Sequence, residues 1–149
     1  MKKPEFVLRI VKTKETQQFS CLGEQLAEIL SVIYEQTEAC NWYVFDVDFN
    51  THHSEQFFTS PFCRIDSTEH LINISKMVDQ FLSGVFIAIE GEVADWNLEH
   101  MPTTEEKEGL QHEQAVVEIR AFDTSYFEVY GLESELKEKL KLAFLPFCQ

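Results

Sequence analysis

The pattern of apolar and polar residues changes period several times along this chain. In "EFVLRIVK", Phe6, Leu8 and Ile10 point one way and Val7, Arg9 and Val11 the other, which predicts a strand. From Ser20 the period lengthens. Leu22, Leu26, Ile29, Leu30 and Ile33 make one apolar stripe at helical spacing. Ser20 is the expected N-cap, with Glu24 and Glu28 towards the positive end of the helix dipole. Gly23 reads as a mild defect in the first turn.

"NWYVFDVDF" (41–49) returns to alternation. Tyr43, Phe45, Val47 and Phe49 form an unbroken apolar face, which helices are expected to cover. Trp42, Val44, Asp46 and Asp48 form a second face that turns from apolar to acidic, and this face is expected to be wet at its acidic end. A second helix is predicted from Asp66 to Leu82, opened by the capping-box spacing of Asp66-Ser67-Thr68-Glu69 and closed by Ser83-Gly84. "VFIAIEGEVADW" reads as a central strand covered on both faces. "AVVEIRAF" and "YFEVYG" read as two strands joined through Asp123-Thr124-Ser125. A last helix over 133–144 places Leu136, Leu140, Ala143 and Phe144 inward. The order β-α-β-α-β-β-β-α predicts a single α+β domain over residues 1–149. It has one mixed or mostly antiparallel sheet of about five strands with two to three packed helices.

Two irregular segments interrupt this pattern. "QFFTSPFC" brings Phe57, Phe58 and Phe62 together, most simply as a plug at the core edge. The stretch from Asn97 to His112 carries Glu99, Glu105, Glu106 and Glu108 against Lys107. A loop this long in a compact domain belongs to partner contact or to mobility. Thr103-Thr104-Glu105-Glu106 would cap one helical turn ending at Gly109.

Charge narrows the function classes. The 149 residues carry 26 acidic and 12 basic side chains, a formal charge of −14. The bases gather at the two ends, and only Arg64, Lys76, Lys107 and Arg120 lie between positions 15 and 136. Such a field repels nucleic-acid phosphate and favours encounter with a basic protein. No run approaches the ~20 apolar residues of a membrane span, and the opening segment is a poor signal peptide. Cys21, Cys40, Cys63 and Cys148 show no C-x-x-C pairing, so free thiols in a reducing cytoplasm are expected.

Candidate chemistry is sparse. Asp46, Asp48, His52, His53 and Glu55 offer carboxylate and imidazole donors within ten residues, the basis for a small metal-assisted hydrolase as an alternative reading. Their spacing matches no established metal motif, and nothing in the sequence calls for a cofactor. The leading expectation is a surface for a basic protein partner. Trp42 and Trp96 would be aromatic anchors, with Asp46, Asp48, Glu90, Glu92, Asp95 and Glu128 as charge complements. A homo-oligomer in which basic ends meet the acidic middle is a further alternative.

Two segments carry a resemblance. "EQLAEILSVIYEQTEACNWYVFD" and "VVEIRAFDTSYFEVYGLESELKEKLKLAF", with Asn41, Trp42, Tyr43, Asp123, Ser125, Tyr126 and Tyr130, resemble a family of small uncharacterised proteins of Gram-positive bacteria, a domain of unknown function. The Asp-Thr-Ser-Tyr-Phe-Glu run is also similar to C-terminal segments of small immunity proteins that neutralise partner toxins. The resemblance implies an inhibitor or immunity-type binding role.

Overall fold

The computed structural model describes residues 1–53, 56–59, 61–91 and 95–149. Its elements are β1 (Phe6–Ile10), α1 (Gly23–Val32), α2 (Tyr34–Thr37), β2 (Cys40–Asn50), β3 (Phe62–Ile65), α3 (Thr68–Ser75), β4 (Gln80–Glu90), β5 (Ala115–Phe122), β6 (Tyr126–Gly131) and α4 (Ser134–Ala143). The strands form one six-stranded sheet in the order β1-β6-β5-β4-β2-β3, antiparallel at every pairing. The α+β class and the order of the main elements are as the periodicity predicts. β3 is the added strand, drawn from the end of the Phe-rich irregular segment. Among the described residues no helix is long and apolar enough to cross a membrane.

One face of the sheet is buried under α1, α3 and α4. Leu26, Leu30, Leu71, Leu136 and Leu140 meet Leu8, Phe81, Phe86, Ile119 and Val129 there. Phe58 joins this core, as the plug reading of the Phe-rich segment expects. Gly23 is no defect. An added Cβ would stand 2.0 Å from the Val78 carbonyl oxygen and 2.2 Å from that of Ser75, so only glycine lets α1 lie against the end of α3.

The second helix is shorter than expected. Ser67 caps it by accepting the His70 amide at 3.0 Å. It then closes through tight i→i−3 bonds, Met77 to Ile74 and Val78 to Ser75. Phe81, inside the bounds predicted for this helix, belongs to β4 instead. Leu22, not Ser20, caps α1, with Gln25 Oε1 accepting the Leu22 amide at 2.9 Å. The Ser20 hydroxyl donates to the Val11 carbonyl.

The expected faces of β2 are corrected as well. Trp42 and Val44 enter the core under the helices, while Tyr43 and Phe45 join a second cluster on the opposite face. A bulge between Phe45 and Asp48 inserts Asp46 at φ 50°. An extra residue exchanges the faces of all that follow. Val47 and Phe49 therefore pack on the helix side, and Asp48 turns to the other side.

That other face is not bare. Cross-strand register sets Val7, Tyr130, Glu118, Ile87 and Tyr43 in one row, and Arg9, Glu128, Arg120, Val85 and Phe45 in the next. Residues 95–114 lie over these rows as a strap, with Leu110, Met101 and Trp96 packed on Tyr43, Phe45, Val85 and Ile87. The strap contains turns and no helix.

Candidate functional site

The strap is held by buried polar groups, which fixes what it presents. Arg120 is 1% exposed and Glu118 0%. The Arg120 guanidinium donates from Nε to Glu118 at 2.6 Å, from one terminal nitrogen to the Glu106 carbonyl at 2.6 Å, and from the other to the carbonyls of Lys107 (3.1 Å) and Gly109 (2.8 Å). Its carbon lies 4.5 Å from the centre of the Tyr130 ring. Glu118 also accepts the Gln111 amide at 2.7 Å and the Gln111 side chain at 2.9 Å. Burial pushes the Glu118 carboxyl above its ordinary range, against the opposing pull of Arg120 and Gln111. A planar fork with several donors suits this task, because one side chain reaches three carbonyls and a carboxylate together.

Asp46 completes the attachment. Its Oδ2 accepts the Thr104 amide at 2.8 Å, and its carbonyl accepts the Ser83 hydroxyl at 2.8 Å. Thr104 in turn accepts the Gly84 amide at 3.1 Å. Asp46 is therefore both the bulge residue and the pin of the strap. Aspartate tolerates positive φ better than most residues, which fits it to this place.

Three open grooves converge on Asp46, of about 530, 530 and 650 Å³. Among the described residues their walls carry Asp46, Asp48, Glu99, Glu105, Glu106 and Asp123, and no lysine or arginine. His100 is the one basic side chain on them. The arrangement can attract and hold cationic groups.

The predicted binding residues divide. Asp46 and Asp48 stand at the grooves. Trp42 is 0% exposed, its indole N–H donated to the Thr68 hydroxyl at 2.9 Å, so it is a core residue and not an exposed anchor. Glu128 is also buried, between Arg9 at 3.0 Å and the Tyr130 hydroxyl at 2.7 Å. A sheet with only one covered face would leave both positions wet. Here the strap and the helices cover both faces. Trp96 is half-buried against Phe45 (4.5 Å) and His112 (4.5 Å), where it anchors the strap. His112 binds the Asp95 carbonyl through Nε2 and accepts the Gln114 amide at Nδ1, so its proton sits on Nε2. Glu90 pairs with Cys40 at the far end of β4, seven residues from Ser83 or about 23 Å along the strand. Glu92 and Glu55 lie outside the described residues. Glu99, Glu105 and Glu106 join the site from the strap, where the acidic run from Glu99 to Glu108 is their sequence signal, and Asp123 joins it from the β5–β6 turn, where no such run marks it.

Among the described residues the metal-ligand constellation is not assembled. Asp46 is engaged by Thr104, His52 Nδ1 pairs with Asp79, and His53 packs on Phe57. Among the described residues no three His, Cys, Asp or Glu side chains converge as a metal ion would need. The four cysteines are free. Burial pushes the Cys21 thiol up to about 11 and the Cys40 thiol up to about 12, which leaves both poor nucleophiles.

The fold and this surface define the class only coarsely: a small α+β domain with a buried ion pair and an acidic, strap-built surface. Set against models of known families, curated proteins and solved structures, the chain matches none.

Proposed function

We propose that this chain is a cytoplasmic protein-binding module that docks its acidic grooves on a basic partner, as an inhibitor or immunity-type protein would. One observation carries the reading. Among the described residues, six carboxylates and no lysine or arginine line the three grooves that meet at Asp46. A concave surface of one charge focuses the field and speeds encounter with its opposite. The exposed groove carboxylates steer the partner, and the clamp beneath them keeps the strap from being an adaptable loop. Asp46 serves this surface mainly by holding Thr104 in place.

The test uses a short lysine-rich peptide as a stand-in for the basic partner. Charge reversal at Asp48 and Glu105 is expected to slow its association about tenfold, more at low salt than at high. An association rate that is unchanged by both reversals at low salt would remove the grooves from the mechanism.

A further inference from the structure

The row of the sheet that the strap leaves uncovered is charged oppositely at its two ends. Register places Tyr126, Phe122, Ser83 and Asp48 side by side on the strap face, and Val11 follows Ile10 to stand next to Tyr126. Five strands at about 4.8 Å make this row about 19 Å long. At its β1 end, Arg9 lies 4.8 Å over the Tyr126 ring while paired with buried Glu128 at 3.0 Å, and Lys12, 5.0 Å over Phe147, supplies the further positive charge. The C-terminal segment closes that end, since Arg9 and Gln149 exchange backbone hydrogen bonds at 2.8 and 3.0 Å. The N-terminal strand and the C-terminal segment are thereby brought together in space. At the β2 end stand Asp48 and Asp46, with Glu105 lining the groove that runs from Asp46 to Phe122; Asp123 follows Phe122 in the β5–β6 turn, at the middle of the row. Between the two ends lies the Phe122–Tyr126 stack at 5.5 Å. Val11 is 40% exposed and Leu82 37%, so the strip is also partly apolar along its length.

We propose that two copies of this chain pair through this strip about a two-fold axis at Phe122, the basic β1 end of each copy seated on the acidic groove of the other. A two-fold axis at the middle of the row maps Val11 onto Asp48 and Tyr126 onto Ser83. Both charge pairings then form in one closed interface, whereas a head-to-tail arrangement makes one pairing per interface and closes only where its rotation completes a ring. Parallel registers set acid on acid and are disfavoured. The inference rests on the reading of the grooves as a docking surface and names a second copy as an occupant.

Sedimentation of the full chain tests it. The expected species at about 0.1 M salt is a dimer, loosening as salt rises to about 1 M and the Debye length falls from about 10 Å to about 3 Å. Lys12→Glu alone and Glu105→Lys alone are each expected to weaken the dimer about tenfold, and the two together in one chain are expected to restore it. In a Cys63→Ser background, Phe122→Cys treated with a mild added thiol oxidant is expected to form a disulfide from copy to copy. A monomer at both salts overturns the pairing, as does a dimer indifferent to both single reversals. A monomer that still binds the lysine-rich peptide through Glu105 refutes the pairing and leaves the docking surface standing. A monomer that does not bind the peptide removes both.

Discussion

Replacing Arg120 by methionine tests whether the clamp holds the strap. Methionine fills similar space but donates nothing. Glu118, 0% exposed, would be left without the partner now at 2.6 Å, and the carbonyls of Glu106, Lys107 and Gly109 would lose their donors. Breaking a buried pair from one side typically costs about 3–5 kcal/mol. Glu106 and Lys107 reach the protein surface, so their carbonyls can turn to water as the strap loosens, and they add little beyond that range. The expected loss for Arg120→Met is therefore about 3–5 kcal/mol, a large part of the roughly 5–15 kcal/mol that holds a domain folded. Urea unfolding measures it. The double variant Glu118→Gln with Arg120→Met is expected to be less unstable than the sum of its parts by more than about 1 kcal/mol, because the two groups share one site. A loss below about 1 kcal/mol, or additive single effects, would refute the clamp.

Other outcomes follow from the same contacts. Gly23→Ala should lower the urea midpoint by more than helix propensity would raise it, since the new Cβ meets the backbone of Ser75 and Val78, which cannot yield as a side chain end can; a midpoint at or above the wild type's would show that α1 is free to shift. Trp42→Phe should cost about 1–3 kcal/mol by leaving the Thr68 hydroxyl short of a donor, while peptide binding stays unchanged. Loss of binding without loss of stability would return Trp42 to the surface. The buried thiols set a pH dependence. Cys40 is raised from 9.0 to about 12, so the folded chain holds a proton that the unfolded chain releases. That contribution to stability is full below pH 9.0 and declines as pH climbs towards about 12, which urea midpoints across this interval will read. A midpoint that is flat or rising there would contradict a protonated buried thiol.

Much of the fold was legible because its elements keep a clean period. Strands β5 and β6 and the last helix fall where the alternation and the apolar stripe put them. The faces of β2 were not legible, because a single inserted residue at Asp46 reverses every later side chain and leaves no mark in composition. Glu118 and Arg120 alternate with apolar residues, a local pattern that also fits the solvent side of a half-covered strand. Only the strap makes them interior, and what holds the strap is the same pair. That circularity hides it from local reading, although opposite charges two residues apart beside a long acidic loop were a usable sign. The acidity was visible; its assembly from β2, the strap and the β5–β6 turn depends on contacts across the whole sheet.

Position and net charge are separated most directly by comparing Asp48→Lys with Glu90→Lys in their association with the lysine-rich peptide at low salt. The two variants change total charge equally but stand at opposite ends of the sheet, about 23 Å apart along the strands. The docking account expects Asp48→Lys to slow association and Glu90→Lys to leave it near the wild-type rate. Equal slowing by both would mean that the chain attracts its partner through overall charge alone, with no built surface at Asp46.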